Sequence, residues 1–229
     1  MPGAQDAKRA AAFTKIAKEL IVAVKEGGGI TDPANNSRLA TVITKAKAAN
    51  MPNDNIKRTL EKAAGGGSSD NYETITYEGY GPGGVAVIVE TMTDNRNRTA
   101  GNMRHHFDKF GGNLGTNGCV SWSFDKKGVL VIDNSEEELD EEEVMMDAME
   151  AGADDFEAED DCFTIYTLPD DFNDVVAKLS KYTFASAQIE MVPQNYQSLN
   201  PEQAALMEKL IDIMEDDDDV QNVWHNWEE

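Results

Sequence analysis

The chain has 229 residues, with 20 Lys and Arg against 43 Asp and Glu, so its formal net charge at pH 7 is −23. A hydrophobic content of 40% suffices for a folded core and excludes a disordered chain. No run of about 18 apolar residues occurs, which excludes a transmembrane helix. Taken as a property of the whole chain, the negative net charge argues against a nucleic-acid partner, because phosphate groups are bound by Lys and Arg.

The charge is distributed unevenly along the chain. Residues 1–65 carry a net +5, residues 66–132 carry −1 and residues 133–229 carry −27. Because salt screens electric fields over about 8–10 Å, each region presents its own charge to a partner. The sequence therefore predicts that the basic N-terminal region approaches a polyanion while the acidic regions are held away from it.

The basic region predicts three helices. An apolar repeat at helical spacing covers residues 13–24 and ends at Gly27-Gly28-Gly29, and a second repeat covers residues 39–46. Asn53 is a suitable N-cap for a third helix. The Gly and Ser residues of 65–69 then favour a flexible linker.

Beyond this linker, alternation with a period of two predicts β-strands mixed with helices. In chain order we predict strands 74–77 and 85–89, helix 99–110, strands 120–124 and 129–132, acidic helix 136–151, strands 155–158 and 163–167, helix 170–181, strand 187–192, helix 201–214 and strand 220–224. From 129 to 192 the order is β-α-β-β-α-β, the split βαβ or ferredoxin-like pattern. In the acidic helix, Leu139, Val144 and Met149 are the residues expected to face inward.

These elements predict an α+β protein with three domains: an N-terminal three-helix bundle, a split α/β middle domain and an inserted ferredoxin-like α/β domain. The bundle is expected over residues 1–67. The middle domain combines 72–126 with 194–229, because the first part needs the helix and strand that the second supplies. The inserted acidic domain is expected over 127–193.

No motif predicts an enzyme. The glycines of residues 79–84 match G-x-G-x-x-G, but an internal Pro and a following strand favour a hairpin loop over a dinucleotide site. The adjacent His105-His106 point about 100° apart on a helix and cannot share one metal. Cys119 and Cys162 are expected to be buried free thiols in a reducing cytoplasm. The acidic runs favour solvated surface over a calcium loop. We predict a cytoplasmic protein that has no cofactor, metal site or small-molecule substrate and does not bind a membrane.

The basic residues form two groups. One is a helical stripe, because Lys8, Lys15, Lys18 and Lys25 are spaced 7, 3 and 7 apart. The other follows a predicted strand at residues 94–99. Both are compatible with solvated surface and helix capping, and both can bind phosphates. The nucleic-acid-binding candidates are Lys8, Arg9, Lys15, Lys18, Lys25, Arg38, Lys45, Lys57, Arg58, Arg96, Arg98 and Arg104.

Several segments resemble the YebC family. They are AQDAKR at 4–9 with FTK at 13–15, MPNDNI at 51–56, YEGYGPGG at 77–84, TDNRNRT at 93–99, GGNLGT at 111–116 and DVQNVWHN at 219–226. The resemblance covers nearly the whole chain. Relatives open with a longer basic segment that contains Gly-His-Ser-Lys-Trp, whereas this chain has Met1-Pro2-Gly3 at that place.

The resemblance implies a non-enzymatic cytoplasmic protein with a helical domain and two α/β domains. Some family members are described as DNA-binding transcriptional regulators, and others act with the ribosome during translation. The leading hypothesis is therefore a DNA-binding regulator of transcription. The alternative is a ribosome-associated translation factor or activator that contacts ribosomal RNA. A third is a protein-interaction module that docks through its acidic domains, although the basic bundle counts against it.

Overall fold

The computed structural model describes residues 3–66, 71–136 and 138–229. The helices are α1 (Ala4–Glu26), α2 (Ser37–Ala48), α3 (Asn53–Ala64), α4 (Arg96–Lys109), α5 (Glu141–Ala151), α6 (Phe172–Lys178) and α7 (Pro201–Asp216). The strands are β1 (Glu73–Tyr80), β2 (Ala86–Thr93), β3 (Asn113–Leu114), β4 (Phe124–Asp133), β5 (Asp155–Ala158), β6 (Cys162–Thr167), β7 (Ser186–Pro193) and β8 (Val220–His225). The predicted α+β class is confirmed.

The chain divides into two compact units. The first comprises Met1–Ser68 and Lys126–Glu190, and the second comprises Ser69–Asp125 and Met191–Glu229. The first unit thus contains both the helical bundle and the sheet of β4 to β7. The division into three domains, with the boundaries given above, stays a prediction.

The bundle is held together by apolar side chains at helical spacing. Ile16, Leu20 and Val24 of α1 are buried against Leu39 of α2 and Ile56 of α3. Burial of each such side chain contributes about 1.5–3 kcal/mol. The pattern that predicted the three helices is therefore the pattern that packs them.

Asn36 links the end of α1 to the start of α2. Its Oδ1 accepts a hydrogen bond from the Leu39 amide at 3.1 Å, which caps α2. Its Nδ2 donates to the carbonyls of Ala23 at 3.0 Å and Ile30 at 3.1 Å. The side chain is buried, so each of these bonds replaces one that water would supply in the unfolded chain.

The sheet of the first unit has the strand order β5-β6-β4-β7, and β6 runs antiparallel to both β5 and β4. Along the chain, β4, α5, β5, β6, α6 and β7 follow the β-α-β-β-α-β order of the predicted ferredoxin-like pattern. Its core packs Leu130 and Ile165 of the sheet with Val144 of α5 and Phe172 of α6.

Helix α2 of the bundle contacts α6 of this sheet region. The Asn173 Nδ2 donates to the Ser37 carbonyl at 3.0 Å, and the Thr41 hydroxyl lies 3.2 Å from Asn173 Oδ1. Both Asn173 atoms therefore bond to one turn of α2, which attaches the bundle to the acidic region.

The second unit is built on a sheet of order β3-β1-β2-β8. Helices α4 and α7 bury Phe107, Met207 and Leu210 against Val87 of β2. The β1–β2 pairing runs from Glu73 opposite Thr93 to Tyr80 opposite Ala86, so the glycine-rich residues 81–85 form a hairpin connection as predicted.

Some predicted boundaries were wrong. Residues 120–123 are not a strand: Ser121–Ser123 form a 3-10 turn, and β4 runs unbroken from Phe124 to Asp133. Residues 125–128, which lie between two separate strands in the prediction, also belong to β4. Gly128 pairs with Thr167 of β6 and leaves room for the side chains of Thr167 and Phe172.

Three helix ends also differ from prediction. Asn53 is the first residue of α3 and Pro52 is its N-cap. The acidic helix was predicted from residue 136 but begins at Glu141, because Asp140 caps the helix by accepting a hydrogen bond from the Glu143 amide at 2.9 Å. Residue 137, in the first turn of the predicted helix, lies outside the described residues. Helix α6 ends at Lys178. Of the predicted linker, residues 67–69 lie outside the described residues.

Predicted burial was wrong at three side chains. Cys119 and Cys162 are free but only half-buried, and Met149 is exposed rather than inward-facing. Val144 is buried as predicted, and Leu139 is half-buried.

Glu78 is a buried carboxylate that holds a loop. It accepts hydrogen bonds from the backbone amides of Gly118 at 2.5 Å, Ser121 at 2.7 Å and Val120 at 3.2 Å. Burial raises the pKa of Glu78, but these donors outweigh it, so the pKa lies below its ordinary value. The ionised carboxylate therefore fixes the path of the chain between α4 and β4.

Replacing Asn36 with Ala should lower the free energy of unfolding by about 1–3 kcal/mol, because the cap and two buried bonds are lost together. Asn36→Asp keeps the cap acceptor but sets a carboxylate oxygen against the two carbonyls, so it should lose at least as much. The matched control is Asp140→Ala, which removes an exposed cap of the same unit and should cost about 1 kcal/mol. Urea denaturation measures all three. Equal losses for Asn36→Ala and Asp140→Ala would contradict the linking role of Asn36.

Replacing Glu78 with Gln should destabilise the protein by about 1–3 kcal/mol at pH 7, because one acceptor oxygen becomes an NH2 donor that faces at least one backbone amide donor. The folded pKa of Glu78 is depressed, so its stabilisation is present above the ordinary value of 4.5 and is lost as pH falls through the folded pKa. The thermal midpoints of the two proteins, measured from about pH 7 down to about pH 3, should therefore converge as the Glu78 carboxyl becomes protonated. A constant difference would contradict this role.

Candidate nucleic-acid interface

The first turns of α1 project as an exposed arm. Every residue from Ala4 to Ala12 is exposed, so this part of the helix has no buried face. Its Ala residues have the highest helix propensity, which supports helix without packing. Lys8 and Arg9 on this arm are exposed and form no ion pair within the described residues. Being adjacent, they point about 100° apart.

The rest of the predicted stripe continues along α1. Lys15 and Lys18 are half-buried and Lys25 is exposed, while Leu20 on the opposite side is fully buried. The stripe that the spacing predicts therefore lies on the side of α1 that faces away from the bundle core.

Helix α3 supplies a second pair of exposed cations, Lys57 and Arg58, which have no ion pair in the part of the chain that the structure describes. Lys57 lies at the edge of an open groove of about 430 Å³. The groove is lined by Thr31, Pro33, Ile43, Lys47, Asn53, Ile56, Lys57, Leu60, Glu61 and Ala64. It thus combines an apolar floor with two lysines and one glutamate.

The two candidates on α2 have partners inside the protein. Lys45 forms an ion pair with Glu19 at 2.8 Å, with side chains only 19% and 10% exposed. Burial raises the pKa of the nearby Glu190, and Lys45 partly opposes that rise. Arg38 forms an ion pair with Glu26. These contacts give Lys45 and Arg38 structural roles on the helix that contacts α6.

In the second unit, Arg98 is held by two carboxylates. Its Nη2 lies 2.9 Å from Asp94 Oδ1 and 3.0 Å from Asp219 Oδ1. The bonds to Asp94 and then Asp219 raise the pKa of Arg98. The buried Asp219 also accepts from the Thr99 hydroxyl at 3.0 Å. Arg98 therefore ties the start of α4 to the turn before β8.

Arg96, Arg98 and Arg104 are all exposed, and the paired Arg98 side chain is 46% exposed. Arg96 pairs with Glu73 at 3.1 Å, and Arg104 has no ion pair among the described residues. Asn95 caps α4 by accepting a hydrogen bond from the Arg98 amide at 3.1 Å, which agrees with the helix-capping interpretation of residues 94–99. The second group is thus a capped helix start with one internally bound arginine.

Sequence reasoning missed the acidic partners of these groups. Glu78 is 40 positions from Gly118, and Asp219 is 120 positions from Thr99. His106 is likewise paired with Asp217, at 2.9 Å. No local pattern marks residues that meet only through the fold, so the acidic C-terminal run looked like surface charge.

One group of metal-ligand side chains occurs within the described ranges: Glu159, Asp161 and Cys162 have donor atoms within 4.8 Å of one another. The Cys162 thiol lies 3.7 Å from a Glu159 oxygen, and burial followed by nearby acids raises the pKa of that thiol. Among the described helices, none has the length and apolar character needed to cross a membrane.

The comparisons with known proteins cover both parts of the chain. Residues 2–66 match the family described as TACO1/YebC protein N-terminal domain, and residues 72–227 match the TACO1/YebC second and third domain. A probable transcriptional regulatory protein from Acetivibrio thermocellus is 58% identical over 225 residues, which are 97% of this chain and 92% of that protein. One from Clostridioides difficile is 56% identical, covering 99% of this chain and 95% of that protein.

A solved structure agrees with these matches. The crystal structure of a conserved hypothetical protein from Aquifex aeolicus has a TM-score of 0.85 and 42% identity, covering 97% of this chain and 91% of that one. Family profiles, whole-length relatives and a shared fold therefore all show that this chain belongs to the TACO1/YebC family.

Proposed function

We propose that this protein is a non-enzymatic regulator of gene expression that binds nucleic acid through its helical bundle. The observation that carries this proposal is the exposed arm of α1, with Lys8 and Arg9 free of internal carboxylates in the described structure. Lys57 and Arg58 on α3 add a second pair of exposed cations. On the bundle, Arg38 and Lys45 are set aside because each is paired with a carboxylate of the protein.

The shape of the arm suits a duplex. An α-helix with side chains is about 10–12 Å wide, and the major groove of B-DNA is about 12 Å wide. An unpacked helix end can therefore enter the groove without unfolding the bundle. Lys8 and Arg9, pointing in different directions, can reach phosphates on either side.

DNA is the favoured target. Several relatives that match along their whole length are named probable transcriptional regulatory proteins, and the arm has the dimensions of a groove-binding element. The local charge is adequate, because residues 1–65 carry a net +5. In this proposal the protein contacts mainly the sugar-phosphate backbone of DNA, and side chains of the α1 arm make any contacts to base edges.

Ribosomal RNA is the alternative target, and the groove beside α3 favours it. Its apolar floor of Ile43 and Leu60, next to Lys47 and Lys57, offers a surface for an unstacked base together with phosphate contacts. RNA is commonly recognised through such splayed bases, whereas duplex DNA keeps its bases stacked. The protein would then act as a ribosome-associated translation factor.

Charge reversal tests the interface. The double variants Lys8→Glu/Arg9→Glu and Lys57→Glu/Arg58→Glu should each weaken binding by more than about tenfold, because two phosphate contacts are lost. The slope of log affinity against log salt should fall by about 1.8 for a duplex and about 1.4 for a single strand. Fluorescence anisotropy with labelled duplex DNA and with a ribosomal RNA fragment measures both. Lys109→Glu/Lys209→Glu is the control with the same change in charge at exposed residues of the second unit.

If both test variants and the control weaken binding equally, general electrostatics rather than the bundle governs affinity, and the proposed interface is wrong. If only Lys57→Glu/Arg58→Glu has an effect, the contact lies at α3 and its groove rather than at the arm.

The target itself is tested by capture of the tagged protein from lysate with and without nucleases, followed by sequencing of the bound nucleic acid. The expected result is discrete DNA that survives RNase. Ribosomal subunits that are lost on RNase treatment would instead establish the translation role. Enrichment of neither, relative to an acidic protein of matched charge, would overturn both.

A further inference from the structure

Helix α5 presents a methionine face to solvent. Met145, Met146 and Met149 are 41%, 68% and 51% exposed, although methionine is ordinarily a core residue. At about 100° per residue, these three side chains fall within an arc of about 100°. The core face of the same helix, formed by Val144, Ala148 and Ala151, lies on the other side. The exposure therefore follows a continuous helical stripe, which we call the methionine face.

This stripe is distinct from scattered surface apolar residues. Single exposed apolar side chains are normal, whereas adjacent ones mark interaction surfaces. Methionine is unbranched and polarisable, so several together adapt to apolar partners of different shape. The face thus has the composition of a groove-type peptide contact rather than of solvated surface.

The helix that carries the face is fixed in place. Lys181 lies 3.0 Å from Glu143 and 2.6 Å from Asp147. The Tyr182 hydroxyl donates to Asp147 at 2.5 Å. These contacts occupy the acidic side chains on one edge of α5. The methionine face therefore stays presented without support from a partner.

The surrounding charge determines the kind of occupant. Glu141 and Glu150 lie on the two borders of the face and Glu142 lies within it; all three are exposed and form no ion pair among the described residues. Residues 133–193 together carry a net charge of −18. A second copy of this face and an anionic membrane would both be repelled. A partner that is apolar on one side and cationic at its borders would be attracted.

We propose that the methionine face binds a cationic amphipathic helix from a partner protein. Apolar residues of that helix, at positions i, i+3 or i+4 and i+7, pack on the three methionines, and flanking Lys or Arg pair with Glu141, Glu142 and Glu150. This partner site is separate from the cations of the bundle, so the proposal does not depend on the proposed function.

The test uses the full chain and two synthetic peptides of 18 residues, of identical Leu and Lys composition. One has Leu at helical spacing and the other has the same residues scrambled, so both carry the same charge. We expect the wild-type protein to bind the amphipathic peptide at least tenfold more tightly, as measured by fluorescence anisotropy at physiological salt. The triple variant Met145→Gln/Met146→Gln/Met149→Gln keeps the charge and the helix propensity, and it should lose this preference.

Leu168→Gln is the matched control, since Leu168 is an exposed apolar residue (52%) of the same unit outside α5. Circular dichroism establishes that each variant is folded. Equal binding of the two peptides by the wild-type protein, or an unchanged preference in the triple variant, would show only electrostatic capture and overturn the proposal. A wild-type dimer that the triple variant abolishes would also overturn it, because the face would then bind a second copy.

Discussion

The packing of α2 on two sides is the constraint on which the first unit depends. One side of α2 buries Leu39 and Ala46 against the rest of the bundle. The first turn of the same helix also bonds through Ser37 and Thr41 to Asn173 of α6. A net-positive bundle and a strongly acidic sheet region are thereby held together, although their opposite charges alone would specify no orientation. Directional hydrogen bonds supply that orientation, because they fix atom positions as well as distance.

This packing also decides which cations can meet an external partner. Lys45 lies on α2 beside Glu19, and Arg38 pairs with Glu26 at the end of α1. A cation that is bound to a carboxylate must give up that contact before it can bind phosphate, which costs free energy. Lys8, Arg9, Lys57 and Arg58 carry no such cost in the described structure. The separation of acidic and basic surfaces is thus a consequence of internal pairing as well as of composition.

The second unit uses buried carboxylates in a different way. Glu78 gathers three backbone amides of one loop, and Asp219 gathers Arg98 and Thr99 at the start of α4. Backbone amides without partners would be costly to bury, so each carboxylate stabilises a path that the local sequence does not favour. The motif at 93–99 is therefore held by a single acidic residue, Asp219, at a distant position.

Much of this protein was determined by its sequence alone. Helical and alternating apolar patterns predicted the elements and the α+β class, because burial of one face is the dominant local requirement. The spacing of Lys8, Lys15, Lys18 and Lys25 predicted their common side of α1. The motifs from residue 4 to 226 predicted the family. Each of these properties depends on residues that are close in the chain or on whole-length similarity.

Only the tertiary structure decided the rest. It joined residues 124–133 into one strand, which pairs with β6 from Gly128 to Asp133 and lies beside β7 in the sheet. It exposed Met149, where the helical pattern predicted burial. The fold also gave Lys45 and Arg98 carboxylate partners, whereas Lys8 and Arg9 have none in the described structure. The partner of Lys45 lies more than 25 positions away in the chain and that of Arg98 more than 120 positions away, so no local pattern could predict either pair. Sequence specified which charges exist, and the fold specified which of them remain available to a partner.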